Sequence, residues 1–381
     1  LDEMMAEELQ FADTHVSAIC HGTDISGLAQ YMTKLPGHRY PAERVAEEEF
    51  IAAEYYPWGV QQLLKYEAAG RCPLDDSIAA AHKIGRKLYA YHRMGITRLY
   101  APMRMFENPM YDAHPEWRCV DFDGTPISRL SICYPEVRQY FLDHFRETVE
   151  RGADGVCLVF ARGWPMLLFE PPVAQEFEHR TGRIMRTVAP DDPDLLAVRT
   201  DFFNEFMREI RETVTSAAQG RAVEVVALTL ATPEINRSFG MDCARWAREG
   251  WVDVLIPYPY GSTAQPTAIN VPAWMPVIAG ANAKLCPILN RMTYEPSGIH
   301  ESPHQLLQRA EKWLDEGAHG LAVWDLDSKL ASPTYRRLAY NIASTEGRAR
   351  LREIFAAGTV RHCLKTLDGL AVDRYHPGWN V

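Results

Sequence analysis

Short apolar runs recur along this chain, and each one stops at a cluster of polar side chains before a segment of helical character begins. Seven such runs are THVSAIC, KLYAYHRM, DGVCLVFAR, VEVVALTLA, WVDVLIPY, KLCPILNRM and GLAVWDLD. Runs this short and this apolar suit strands covered on both faces. Helices are expected over 74–84, over 135–151 with Pro135 in the first turn, and over 195–217. The last has apolar residues at 202, 203, 206, 210 and 214, which is helical spacing. Further helices are expected after Asp242 (a candidate N-cap), over 303–316 and over 335–343. Strands alternating with helices imply a parallel sheet. Seven strands at this spacing point to a (β/α)8 TIM-type barrel. No G-x-G-x-x-G follows the first run, which weighs against a dinucleotide-binding sheet.

An eighth strand has no clear run of its own, so the barrel is expected to be distorted or to lack a complete eighth strand. Residues 1–345 read as one barrel. Residues 346–381 read as a C-terminal helix and a tail that packs on the barrel or leads to a further domain. A long insertion rich in Glu, Tyr and Pro separates the first two strands, and HPEW (114–117) reads as a turn.

Composition narrows the class of function. Hydrophobic residues make up 47 % and charged residues 24 %, the balance of a globular chain. The net charge of −10 argues against a general nucleic-acid binder, which needs a basic surface. No apolar run reaches the length of a bilayer span. None of the eight cysteines forms a C-x-x-C pair, so they are expected as small buried filler. A secreted or periplasmic location is expected if a signal peptide has been removed, and a cytoplasmic one otherwise.

In a barrel of this type the site lies at the carboxyl ends of the strands. The residues just past the runs are His21, Asp24, His92, Arg93, Arg162, Glu170, Glu234, Arg237, Tyr258, Tyr260, Asn290, Arg291, Asp325 and Asp327, with Trp164 and Trp324 beside them. Carboxylates, arginines and aromatics converging on one rim fit a carbohydrate substrate. Asp325, with Glu234 or Glu170, is the expected catalytic pair. His21, His92, Arg93, Arg162, Tyr258, Arg291 and Trp324 are the expected binding residues. Each has a plainer alternative: an ion pair for Asp325, a solvated loop for Glu170 and Glu234, a hydrogen-bonded structural histidine for His92, and barrel wall for Tyr258 and Trp324. A metal centre of His21, His92 and Asp325 is the weaker idea, because H-E-x-x-H and strand-end H-x-H are missing. No cofactor is implied.

Several longer segments carry a resemblance. HPEW, YPEVRQYFLDHFRETVERGADGVCLVFAR, LFEPPVAQEFEHRTG, GMDCARWAREGWVDVLIP and AEKWLDEGAHGLAVWDLDS together cover most of residues 75–330. They resemble the glycoside hydrolase family 10-like proteins. The resemblance implies a (β/α)8 glycosidase, and it singles out Arg162 and the Glu170 loop. One departure stands out: the third strand of that family often carries an Asp where this chain has Val159. Two further readings stay open. One is a barrel that binds sugars without cutting them. The other is a sugar lyase or isomerase using His92 with Asp325.

Overall fold

The computed structural model describes residues 8–39, 55–99, 103–259, 269–290, 303–330, 333–356, 366–367 and 370–371. Its centre is a six-stranded, all-parallel sheet. In chain order and in spatial order alike the strands are β1 (Ala18–Gly22), β2 (Lys87–Arg93), β3 (Gly155–Val159), β4 (Glu224–Leu230), β5 (Val254–Tyr258) and β6 (Lys284–Leu285). Sequential neighbours joined by helical crossovers are the layout expected of a singly wound barrel sheet.

The seventh expected run, GLAVWDLD, aligns along β6 without a continuous ladder. His319 N–H donates to Leu285 O (2.9 Å), Ala322 N–H to Pro287 O (3.0 Å) and Leu289 N–H to Ala322 O (2.8 Å). The Asn290 side chain adds two more bonds, accepting from Trp324 N–H at 2.8 Å and donating to Trp324 O at 2.9 Å. An amide side chain thus extends the pairing where the main chain of β6 has ended.

Among the described residues, no strand hydrogen-bonds β1 to this seventh segment. Side chains fill the gap instead. Ile19 of β1 packs with Phe11, Val16, Leu326, Leu330 and Ala339, and His15 N–H donates to Ala339 O at 2.9 Å. The sheet is therefore parallel, and among the described residues an apolar seam stands where a fully closed barrel would have ladder bonds.

The helices form where the sequence offers a start signal and an apolar stripe. Helix Pro193–Ala217 opens at Asp192, whose side chain accepts from Asp194 and Leu195 N–H. Its buried Val198, Phe206, Met207, Ile210 and Val214 join the main core, and the helix packs against helix Pro135–Glu150. Phe206 meets Phe141 at 6.2 Å, and Arg138 donates to Glu209 at 2.8 Å. Helix Cys243–Arg248 begins at Asp242 as expected, the carboxylate accepting from Arg245 N–H. The long insertion contributes helix Tyr55–Ala68 and a small hairpin of Asp24–Ile25 with Leu28–Ala29. HPEW forms a short 3₁₀ turn, with His114 stacked on Trp117 at 3.6 Å. Helix Thr345–Ala356 packs against helix Pro303–Asp315, and Arg352 pairs with Glu311 across them. The tail beyond it is outside the described residues except for two short strands, Thr366–Leu367 and Leu370–Ala371. No described helix is long and apolar enough to cross a membrane.

Candidate functional site

Strand alternation decides which side chains enter the mouth. Along β2, Leu88 and Ala90 pack with Leu74, Ile78 and Ala81 of helix Pro73–Lys83, so the even-numbered residues face the helices. Tyr89, Tyr91 and Arg93 face the other way, into the sheet's concave side. The parallel registers carry that side across to Val159 of β3, Leu228 and Leu230 of β4, and Tyr258 of β5.

At the carboxyl end of this concave face four groups converge on Trp324. Tyr258 stacks on its indole at 5.1 Å with 11° between the planes. Tyr91 meets it edge-on at 5.7 Å. The Arg162 guanidinium lies 5.7 Å from its ring centre. The Asn290 amide grips its main chain. The Arg93 and Arg162 guanidinium groups both bear on the buried Tyr91 hydroxyl, although burial still pushes that phenol well above its ordinary range. Trp324 itself is half-buried while Tyr258 is fully buried, so the indole is the aromatic surface that solvent can reach.

Arg162 is aimed by a close backbone contact. The turn Phe160–Gly163 follows β3 directly. A Cβ on Gly163 would stand 1.4 Å from Met94 O, so only glycine lets this turn lie against the end of β2.

The other expected residues fall elsewhere. His92 follows Tyr91, so it faces the helices, where it is 0 % exposed and edge-on to Phe145 at 4.8 Å. His21 alternates outward in the same way and pairs with Glu8 at 3.0 Å. Neither histidine enters the mouth, and a centre of His21, His92 and Asp325 does not assemble. Glu170 is fully buried at the start of helix Pro171–Thr181. Both of its oxygens accept from Leu168 N–H at 2.9 Å, and burial raises its carboxyl above the ordinary value. Buried Arg199 supplies the nearby positive charge. Glu234 sits on the exposed first turn of helix Pro233–Ser238, 3.5 Å from Arg237. Asp325 is exposed and holds a left-handed backbone, φ 51°, immediately after Trp324. Arg291 lies outside the described residues.

Sequence reasoning missed Tyr91, whose signal was the simple alternation of KLYAYHR. It also missed a buried cluster on the helix side, formed by Asp24, His92 and His144. Burial holds the His144 imidazole well below its ordinary range and pushes His92 down to about 3. Asp24 accepts from Arg93 N–H, and the Gly27 amide lies close. Burial outweighs both and pushes its carboxyl up to about 7.

No protein-family model matches the chain, and no curated protein sequence matches it. Solved structures do. The glycoside hydrolase domain of PgaB (BpsB) from Bordetella bronchiseptica aligns with a TM-score of 0.56 at 13 % identity, over 90 % of this chain and 94 % of that one. The chain shares its fold. The β-galactosidase of Bacillus circulans sp. alkalophilus aligns at 0.53 and 12 % identity, over 85 % of this chain and 48 % of its own. The α-L-fucosidase isoenzyme 2 of Paenibacillus thiaminolyticus aligns at 0.51 and 15 %, over 94 % of this chain and 47 % of its own. This chain therefore spans about half the length of the last two.

Proposed function

We propose that this chain is a glycoside hydrolase acting on an oligo- or polysaccharide at the Trp324 mouth. The observation that carries the reading is the reachable indole of Trp324, backed by Tyr258 and flanked by Arg162. An aromatic face suits the C–H face of a sugar ring, and a guanidinium fork suits its hydroxyls. The fold shared with a glycoside hydrolase domain, a β-galactosidase and an α-L-fucosidase supports it, and so do the segments that resemble the family 10-like proteins.

The carboxylates assigned to the reaction are Asp325 and Glu234, both at carboxyl-end positions and both open to solvent. One donates a proton to the glycosidic oxygen, and the other activates water or attacks the anomeric carbon. Glu170 is left out of the pair because it is fully buried at the start of helix Pro171–Thr181, out of reach of solvent. Arg93, Arg162 and Tyr258 belong to the binding wall.

A second reading, sugar binding without cleavage, is favoured by one feature. Among the described residues, the groups that meet at Trp324 are tyrosine, guanidinium and amide side chains, set among the aliphatic Val159, Leu228 and Leu230 of the same face. The two carboxylates both stand on exposed turns, at the starts of helices Pro233–Ser238 and Leu326–Lys329. Turnover on a panel of natural polysaccharides separates the readings. Asp325→Asn is expected to lose on the order of 10²-fold in kcat or more, the scale of general acid–base contributions, while binding is kept. Equal rates in both proteins would remove Asp325 from the reaction. Glycan binding by the wild type without turnover on any substrate would establish the binding-only barrel.

A further inference from the structure

Three buried groups meet on the helix side of β2 that the carbohydrate reading leaves unused. Asp24, His92 and His144 are 3 %, 0 % and 0 % exposed. One carboxylate oxygen and one ring nitrogen from each histidine lie within 4.8 Å of one another. Their protein partners account for only part of their bonding capacity. Asp24 Oδ1 accepts from Arg93 N–H at 2.8 Å, but Oδ2 accepts from nothing in the protein. Neither nitrogen of His144 has a hydrogen-bond partner.

The polarity of His92 follows from its neighbours. The Thr23 hydroxyl donates to Tyr91 O at 2.8 Å, so it accepts from His92 Nδ1–H at 3.2 Å. The Nε2 lone pair is then left facing the Thr148 hydroxyl oxygen at 3.5 Å, and that hydroxyl already donates to Phe145 O. A buried polar group without a partner costs about 1–3 kcal/mol. Several gathered at one point call for an occupant.

We propose that Asp24, His92 and His144 bind a divalent transition-metal ion, zinc being the best match to two imidazoles and one carboxylate. Lone pairs on neutral imidazole and on carboxylate oxygen are the donors zinc takes. The bond from His92 Nδ1–H to Thr23 is the kind of outer hydrogen bond that orients a ligating histidine. Metal bonds of about 2.0–2.2 Å place tetrahedral donors about 3.4 Å apart, so binding draws the present donors inward by side-chain rotation. The ligands come from the Asp24 hairpin, from β2 and from helix Pro135–Glu150. The ion would join these three elements directly behind Arg93, whose main chain Asp24 already holds. Its role is structural, because the cluster faces away from the mouth.

The test is metal content. The full chain, without a polyhistidine tag, is produced in media supplemented with zinc, cobalt(II) or iron(II) and measured by elemental mass spectrometry. About one equivalent per chain is expected, falling below about a tenth in His144→Gln and in Asp24→Asn. The cobalt form supplies a reading that needs no variant: visible ligand-field absorption, and a Tm several degrees above that of chelator-prepared protein. Folded wild type holding no more metal than His144→Gln in all three media, with no cobalt absorption, would overturn the proposal and leave a buried water as the occupant. Full metal content in both variants would overturn it as well. If the variants do not fold, the wild-type cobalt spectrum decides alone.

Discussion

At the scale of single residues, adjacent positions take opposite roles. Tyr91 enters the mouth while His92 goes to the helices, and Trp324 turns inward while Asp325 reaches solvent. Asp325 does so with φ 51°, a conformation that costs a non-glycine residue on the order of 1 kcal/mol. Glycine adopts it freely. Asp325→Gly is therefore expected to lose turnover, with the relieved backbone cost holding its Tm in calorimetry within a few degrees of the wild type. A drop of several degrees would show that the carboxylate serves folding rather than chemistry. Trp324 makes the complementary case. Trp324→Ala is expected to weaken oligosaccharide affinity about tenfold by titration calorimetry, the upper range for one aromatic contact. Loss of folding with no selective loss of binding would return Trp324 to the core.

At the scale of elements, helix Pro135–Glu150 anchors the segment after β1 through one carboxylate. Glu147 accepts from the Tyr31 hydroxyl (2.9 Å), the Thr33 hydroxyl (2.5 Å), Lys34 N–H (2.8 Å) and Arg151 (3.3 Å). Burial would raise its carboxyl. The bonds from Thr33, the Lys34 amide, Tyr31 and Arg151 outweigh burial and hold it below the ordinary value. A carboxyl depressed in the folded state binds protons more weakly there than in the unfolded chain. Its stabilisation is present above the unfolded-state value and is lost as pH falls through the folded one. Glu147→Gln is expected to cost about 1.5–3 kcal/mol at neutral pH, the range for hydrogen bonds to a charged group. Urea unfolding from pH 7 to pH 3 should show that difference shrinking at the acid end. A difference independent of pH would mean that shape, not charge, holds this segment.

At the scale of the whole molecule, the sheet is completed by packing where ladder bonds stop. Leu330 is 3 % exposed between Phe11, Ala339 and the Ile19 side of β1. Leu330→Ala is expected to cost about 2–4 kcal/mol, the range for a buried leucine. Because β1 pairs only with β2 among the described strands, the loss should be local as well as global. Amide hydrogen exchange over Ala18–Gly22 should speed up more than over Gly155–Val159 in the middle of the sheet. Equal acceleration in both strands would show that the seam carries no special share of the closure.

Five of the six sheet strands lie inside runs that their apolar composition marks out, and β1 overlaps its run and extends two residues past it, because a strand covered on both faces is largely apolar. Helix starts were legible at 135, 242 and 303 and within two residues at 73, 193 and 333, while the helices opened by Pro171 and Pro233 stood in segments read as loops. Proline opens the helices at 73, 135, 171, 193, 233, 303 and 333, where its missing N–H has no partner to lose. The alternation of KLYAYHR separates Tyr91 and Arg93 from His92, but which of the two sets faces inward depends on the helix Pro73–Lys83 that covers Leu88 and Ala90, so His92 was expected at the rim beside Arg93. The eighth strand was likewise expected to be incomplete only from the lack of a run, and among the described residues the packing beside β1 depends on Phe11, Leu326, Leu330 and Ala339 coming from opposite ends of the chain. The meeting of Asp24, His92 and His144 is of the same kind. Each is an ordinary polar residue in its own segment, and only the packing of a hairpin, a strand and a helix takes all three out of water at once.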